Sequence, residues 1–140
     1  MNTDAEQFVV PLLQPDGTYF MSSVVLTESE SGDCHLLMTC EEWTLESTAE
    51  DWFDAFCAVR RDLETRELLP ACYGAHLHAF PSGMSRSMGG GRQLYRLTIG
   101  KQARMNDLVG LFDAGQDVIP STVDDQRKFF DQWIDSLGRT

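Results

Sequence analysis

The chain has 140 residues, a length that suits one domain, and we expect residues 1–140 to form a single globular unit. Its 22 acidic and 11 basic residues give a net charge of −11, which argues against nucleic acid as the main ligand. No apolar run approaches the roughly 20 residues of a membrane span. The N-terminus lacks the basic and apolar segments of a secretory signal, so we expect a cytoplasmic protein that does not enter membranes.

The charge is distributed unevenly along the chain. Residues 1–70 contain fifteen acidic and three basic residues, whereas residues 71–140 contain seven acidic and eight basic residues. No acidic residue occurs between Leu68 and Asn106. We therefore expect an acidic surface with a smaller basic patch. Such a surface either keeps the protein soluble or attracts a basic partner protein, and the composition leaves both interpretations open.

The N-terminal part predicts an antiparallel meander of three strands. Apolar and β-branched residues over Phe8–Leu13 and Thr18–Leu26 flank the turn residues Pro15–Gly17, a pattern typical of a hairpin. Cys34–Cys40 predicts the third strand. Because Pro11 has no N–H to donate, we expect the first strand at a sheet edge.

A change to a helical period then predicts an amphipathic helix that ends before Pro70. Thr48 with Asp51 three residues later, or Ser47 with Glu50, predicts a capping box at its start. The apolar stripe of this helix consists of Trp52, Phe56, Val59 and Leu63.

Three further strands and a second helix follow. The strands are predicted over Tyr73–Phe80, Gln93–Gly100 and Asp107–Asp113, and the helix from its cap Thr122 to Gly138. The element order βββαβββα predicts an α+β fold. In this fold an antiparallel sheet of five to six strands carries two helices packed on one face.

The segment Pro81–Arg92, with the sequence PSGMSRSMGGGR, joins two of the predicted strands and contains four of the eleven glycines. It leads into a strand rather than a helix and has no Gly-Lys-Ser/Thr, which argues against a phosphate-binding loop of the usual kind. Three interpretations stay open: a long hairpin loop, a loop that binds a partner protein, and an anion or nucleotide site.

The cysteines and histidines form weaker patterns. Cys72, His76 and His78 are spaced like metal ligands, but a zinc site needs three or four ligands and the chain has no C-x-x-C pair. Half-buried strand histidines are the simpler interpretation. We expect the cysteines to be reduced thiols. No catalytic residue, metal site or cofactor is predicted.

Acidic residues cluster around Trp43, a residue type that often dominates the energy of protein interfaces. The alternative is that this tryptophan covers one end of the core. The residues predicted to bind a partner are Glu41, Glu42, Trp43, Glu46, Glu50, Asp51 and Asp54, together with Arg86 and Arg92 of the glycine-rich segment.

Three motifs in the C-terminal part carry a resemblance to a known class of proteins. They are PSGMSRSMGGGRQLY (Pro81–Tyr95), DLVGLFD (Asp107–Asp113) and TVDDQRKFFDQW (Thr122–Trp133). In a short acidic chain, they resemble the immunity proteins of bacterial polymorphic toxin systems. The resemblance implies that the chain binds and occludes a cognate toxin domain rather than catalysing a reaction. The expected partner is a toxin with a basic active-site cleft, which an acidic surface complements.

The alternative function belongs to another class. The chain would then be a small enzyme or ligand-binding domain with an anion or nucleotide site in the region Pro81–Arg96. Arg86, Arg92 and Arg96 would form that site.

Overall fold

The computed structural model describes residues 5–138, which form two antiparallel sheets and three α-helices. The larger sheet contains β1 (Glu6–Leu13), β2 (Tyr19–Glu28), β3 (Cys34–Thr39), β4 (Thr44–Ala49) and β5 (Leu69–Pro70). The smaller sheet contains β6 (Ala79–Phe80), β7 (Gln93–Arg96) and β8 (Leu108–Gly110). The helices are α1 (Trp52–Thr65), α2 (Gly83–Gly89) and α3 (Val123–Leu137). The α+β class is confirmed, whereas the predicted number of two helices and the order βββαβββα are wrong.

The larger sheet has the order β4-β3-β2-β1-β5 and begins with the predicted hairpin. In the turn between β1 and β2, Gly17 takes a φ of 88°, which a residue without a Cβ adopts at little cost. β1 is not an edge strand along its whole length, because β5 pairs with Leu12 and Leu13. Pro11 lies just outside that two-residue pairing, and its carbonyl accepts a hydrogen bond of 2.8 Å from the Ala71 amide beyond β5.

β4, with the sequence TLESTA, is not among the strands that the sequence predicts. The strand pairs with β3 from Thr39↔Thr44 to Cys34↔Ala49. Leu45 is buried on the inner face, while Glu46 on the outer face is exposed. Because TLESTA has one buried apolar residue among polar neighbours, its period of two is weak and does not predict a strand.

α1 covers the inner face of the larger sheet, mainly against β3 and β4. Its predicted apolar stripe is confirmed, since the four residues are at most 7% exposed. The predicted capping box at Thr48 or Ser47 is wrong, because both residues belong to β4. Asp51 caps the helix instead, and its carboxylate accepts a hydrogen bond from the Asp54 amide at 2.7 Å.

The region after α1 contains less strand than predicted. The expected strand Tyr73–Phe80 is wrong over most of its length, since Tyr73–Ala75 form a 3-10 turn and only Ala79–Phe80 form β6. Gly74 explains the turn: a Cβ on this residue would lie 2.6 Å from the Leu111 carbonyl oxygen, so the two backbones are in direct contact.

The hairpin-loop interpretation of the glycine-rich segment is also wrong, because α2 forms its centre. The Ser82 hydroxyl caps the helix by accepting from the Ser85 amide at 2.9 Å, and Gly90 ends it with a φ of 68°. The Gly90 carbonyl then accepts a hydrogen bond of 2.6 Å from the Trp52 amide. The end of α2 is therefore attached to the first residue of α1.

α3 has the predicted N-cap Thr122 and packs mainly against β6 and α1. Its Phe130 ring stacks on Phe80 with centroids 4.1 Å apart. None of the helices within residues 5–138 has the length and apolar character needed to cross a membrane.

Candidate functional site

The turn between β3 and β4 forms one wall of a surface groove of about 410 Å³. The Cys40 amide donates to the Trp43 carbonyl at 2.9 Å, which closes the turn and holds its side chains at the end of the sheet. We call this feature the Trp43 groove; it is lined by Phe20, Met21, Cys40, Glu41, Glu42 and Trp43.

Trp43 is half-buried: its side chain packs against the core and also lines the groove. Its ring meets Phe20 edge-on with centroids 6.5 Å apart, and the Arg66 guanidinium lies over it at 4.9 Å. These contacts fix the orientation of the ring while one part of it lines the groove. A rigid aromatic surface of this kind loses little side-chain entropy when a partner binds.

Glu41 and Glu42 are exposed and form no ion pair with any residue in 5–138. Glu46 lies nearby on the outer face of β4, where it contacts the His35 ring nitrogen at 2.7 Å. The groove thus presents two carboxylates that no ion pair engages within the described part of the chain.

The other predicted acidic residues lie at the opposite end of β4, about 20 Å away for a strand of this length. Glu50 is exposed there, whereas Asp51 and Asp54 bind the same guanidinium. Arg86 approaches Asp51 at 3.1 Å and Asp54 at 2.5 Å. The structure therefore separates the predicted acidic surface into two parts, and its second part is largely occupied by an internal cation.

Arg86 and Arg92 are both held by intramolecular contacts. Although burial of Arg86 opposes its charge, the hydrogen bonds from its guanidinium to Asp51 and Asp54 raise its pKa. Arg92 binds both carboxylate oxygens of Glu6, at 2.8 and 3.2 Å, and these hydrogen bonds lower the pKa of Glu6. Both guanidinium groups are therefore already engaged with carboxylates of this chain.

The outer face of the larger sheet adjoins the groove and was not identified from the sequence. Val9, Tyr19 and Met21 are 55–60% exposed on this face, and Pro11 and Leu13 beside them are half-buried. A signal was present, because β1 and β2 carry apolar residues in both phases of the strand period. Such doubled patterns indicate a strand whose second face is also apolar.

Cys72, His76 and His78 do not form a metal centre, and residues 5–138 contain no cluster of three or more acidic, histidine or cysteine side chains placed to hold a metal ion. The His76 Nδ1 accepts from the Ile119 amide at 2.9 Å. All four cysteines are free thiols, and burial raises the pKa of Cys34 to about 11 and of Cys72 to about 12. These two thiols stay protonated near neutral pH and are poor nucleophiles.

Comparison with known proteins assigns the chain to no family. No protein-family model matches the chain, and no curated protein has a significantly similar sequence.

Proposed function

We propose that the chain is an immunity protein of the bacterial cytoplasm, which binds a cognate toxin domain and covers its basic active-site cleft. The observation that carries this proposal is the Trp43 groove, where Glu41 and Glu42 form no ion pair with any residue in 5–138 and lie beside a fixed aromatic ring. The motifs over Pro81–Tyr95, Asp107–Asp113 and Thr122–Trp133, which resemble those of immunity proteins, point in the same direction.

The groove and the adjoining outer sheet face together have the composition of a protein interface. Met21 and Tyr19 supply exposed apolar surface, and Glu41, Glu42 and Glu46 lie at its margin. Interfaces combine an apolar centre with a polar rim and bury about 800 Å² on each partner. Unpaired carboxylates at the rim accelerate encounter with a basic partner and disfavour acidic ones.

The structure also changes the expected role of the glycine-rich segment. Arg86 and Arg92 were predicted to contact the partner, but both bind carboxylates of this chain. We propose that they stabilise the fold around α1 and β1, and that the partner binds at the Trp43 groove. At the alternative anion site in Pro81–Arg96, a ligand would compete with these carboxylates for the two guanidinium groups.

Charge reversal at the groove tests the proposal. Co-expression of the chain with the toxin encoded beside it should protect the cells, and the E41K/E42K variant should bind that toxin about tenfold or more weakly. The matched control is E28K/E30K, which makes the same change of charge at two exposed residues around the opposite turn of the sheet. Surface plasmon resonance at two salt concentrations measures both the affinity and its electrostatic part.

A second pair of variants, which replace exposed methionines, completes this test. Met21→Ser should weaken binding because it removes an exposed anchor at the groove, while Met105→Ser, at a site 76% exposed and away from it, should not. Protection without a stable complex, or equal loss of affinity in the groove and control variants, would show that the partner binds elsewhere.

A further inference from the structure

A second opening of about 650 Å³ lies on the side of the smaller sheet. Arg96, Lys101 and Arg104 line it, which places three of the eleven basic residues of an acidic chain around one cavity. We call it the Arg96 cleft; it is lined by Arg96, Thr98, Gly100, Lys101, Gln102, Arg104 and Asp107. Its volume is within the range of about 300–1,000 Å³ that is usual for small-molecule sites.

The turn that carries Lys101 is held in place by α3. The Gly100 amide donates to the Ser136 hydroxyl at 2.8 Å, and the Trp133 indole donates to the Lys101 carbonyl at 2.9 Å. Gly100 itself takes a φ of 82°, which allows the tight reversal. The backbone that carries Lys101 is therefore anchored at two points, which limits the backbone ordering that a ligand must impose.

Two of the three cations that line the cleft form no ion pair with any residue in 5–138. Lys101 and Arg104 have no carboxylate within 4.0 Å among the described residues, whereas Arg86 and Arg92 both do. Arg96 donates to the Asn106 carbonyl at 2.9 Å and lies 3.6 Å from Asp117.

Two carboxylates are also present and are each engaged. Asp107 accepts from the Arg104 amide at 2.9 Å, and Asp117 accepts from the Tyr73 hydroxyl. Even with both ionised, the three cations leave the cleft positive.

A neighbouring opening of about 430 Å³ extends the cleft toward two histidines. It shares Arg96, Thr98 and Asp107 with the cleft and is also lined by His76 and His78. Because the His76 Nδ1 accepts a hydrogen bond, the neutral ring carries its proton on Nε2 and offers a donor. The combined surface therefore presents guanidinium, ammonium, hydroxyl and amide donors, with His76 buried at its inner end.

We propose that the Arg96 cleft binds the phosphate group of a small phosphate monoester. Guanidinium groups match the oxygen geometry of a phosphate, and a lysine ammonium adds a compact charge beside them. The proposal does not depend on the proposed immunity function, because the cleft and the Trp43 groove are lined by different residues on different sheets.

The test is a titration of the full chain with inorganic phosphate and with adenosine monophosphate, followed by amide NMR at constant ionic strength set with chloride. We expect saturable shifts at residues 98–107. The K101Q/R104Q variant should bind about tenfold or more weakly, because each charge-assisted hydrogen bond is worth a factor of about ten. Inorganic phosphate and the nucleotide as separate probes distinguish a phosphate-only site from one that also contacts the rest of the ligand.

The control R61Q/K128Q removes two exposed cations from α1 and α3 and should leave the titration unchanged. Thermal unfolding of both variants checks that they fold. Shifts that do not saturate, that chloride reproduces, or that are equal in both variants would overturn the proposal. The E41K/E42K variant should lose toxin binding and keep phosphate binding, so a failure of one proposal is distinguishable from a failure of the other.

Discussion

Arg60 lies fully buried where α1, the Tyr73–Ala75 turn and α3 meet. Its guanidinium donates to the carbonyls of Gly74 at 3.0 Å and Ser121 at 3.1 Å, and to the Gln126 Oε1 at 2.6 Å. Burial lowers the pKa of Arg60, since the cation is removed from water and has no carboxylate within 4.0 Å among the described residues. A buried cation is costly unless hydrogen bonds satisfy it, so the stability of the fold depends on each of these acceptors.

Replacement of Gln126 by alanine should therefore destabilise the fold. The change removes the nearest acceptor of Arg60 and the amide donor to the carbonyls of Gly74, His76 and Ala79. We expect the free energy of unfolding to fall by about 3 kcal/mol. Gln132→Ala, at an exposed position of the same helix, is the control and should change it by less than about 0.5 kcal/mol. Urea unfolding measures both, and equal values would contradict this role.

His76 makes the stability depend on pH. Burial, together with the neighbouring His78, lowers the pKa of His76 below its usual value of 6.5. Below about pH 6.5 the unfolded chain therefore binds a proton that the folded chain does not, so the free energy of unfolding decreases as the pH falls. His76→Asn keeps an acceptor for the Ile119 amide and does not titrate. Unfolding curves between pH 5 and 7 should show a smaller decrease in this variant; a decrease as large as that of the wild type would assign it to another group.

At the scale of elements, the glycine-rich segment contains α2 and attaches its C-terminal end to the start of α1. α2 ends in Gly90 and Gly91, both with positive φ, and these residues cover the N-terminus of α1. Arg86 strengthens the same junction by binding Asp51, the N-cap of α1. The glycine-rich segment thus stabilises the N-terminus of α1, although its composition is that of a flexible loop. Its glycines allow the two backbones to approach closely.

Gly91→Ala tests this junction. A Cβ at this position would lie 3.0 Å from the Phe53 amide nitrogen, and the φ of 74° is unfavourable for alanine. We expect a loss of about 1–3 kcal/mol in the free energy of unfolding. The matched variant Gly89→Ala meets no atom within 4 Å and lies within α2, so it should be neutral or slightly stabilising. A calorimetric comparison decides, and an unchanged melting temperature for Gly91→Ala would argue that α2 does not support α1.

At the scale of the whole molecule, opposite charges occupy different regions. The N-terminal half builds the larger sheet and α1 and carries most of the acidic residues, including Glu41 and Glu42 at the Trp43 groove. The C-terminal half builds the smaller sheet, where the Arg96 cleft lies. The uneven charge along the sequence therefore corresponds to two separate surfaces of opposite sign in the folded chain, and each attracts groups of the opposite charge.

The sequence by itself determined the α+β class, the first hairpin and the buried stripe of α1, because periods of two and 3.6 are local properties. It also predicted Glu41, Glu42 and Trp43, which are adjacent in the chain, as partner-binding residues; the structure places all three at one groove, and their role stays a prediction. The tertiary structure alone decided that Arg86 binds both Asp51 and Asp54, and that Arg96 lines one cleft with Lys101 and a neighbouring opening with His76. Such contacts join segments far apart in the chain, so their partners and remaining free charge depend on how the elements pack.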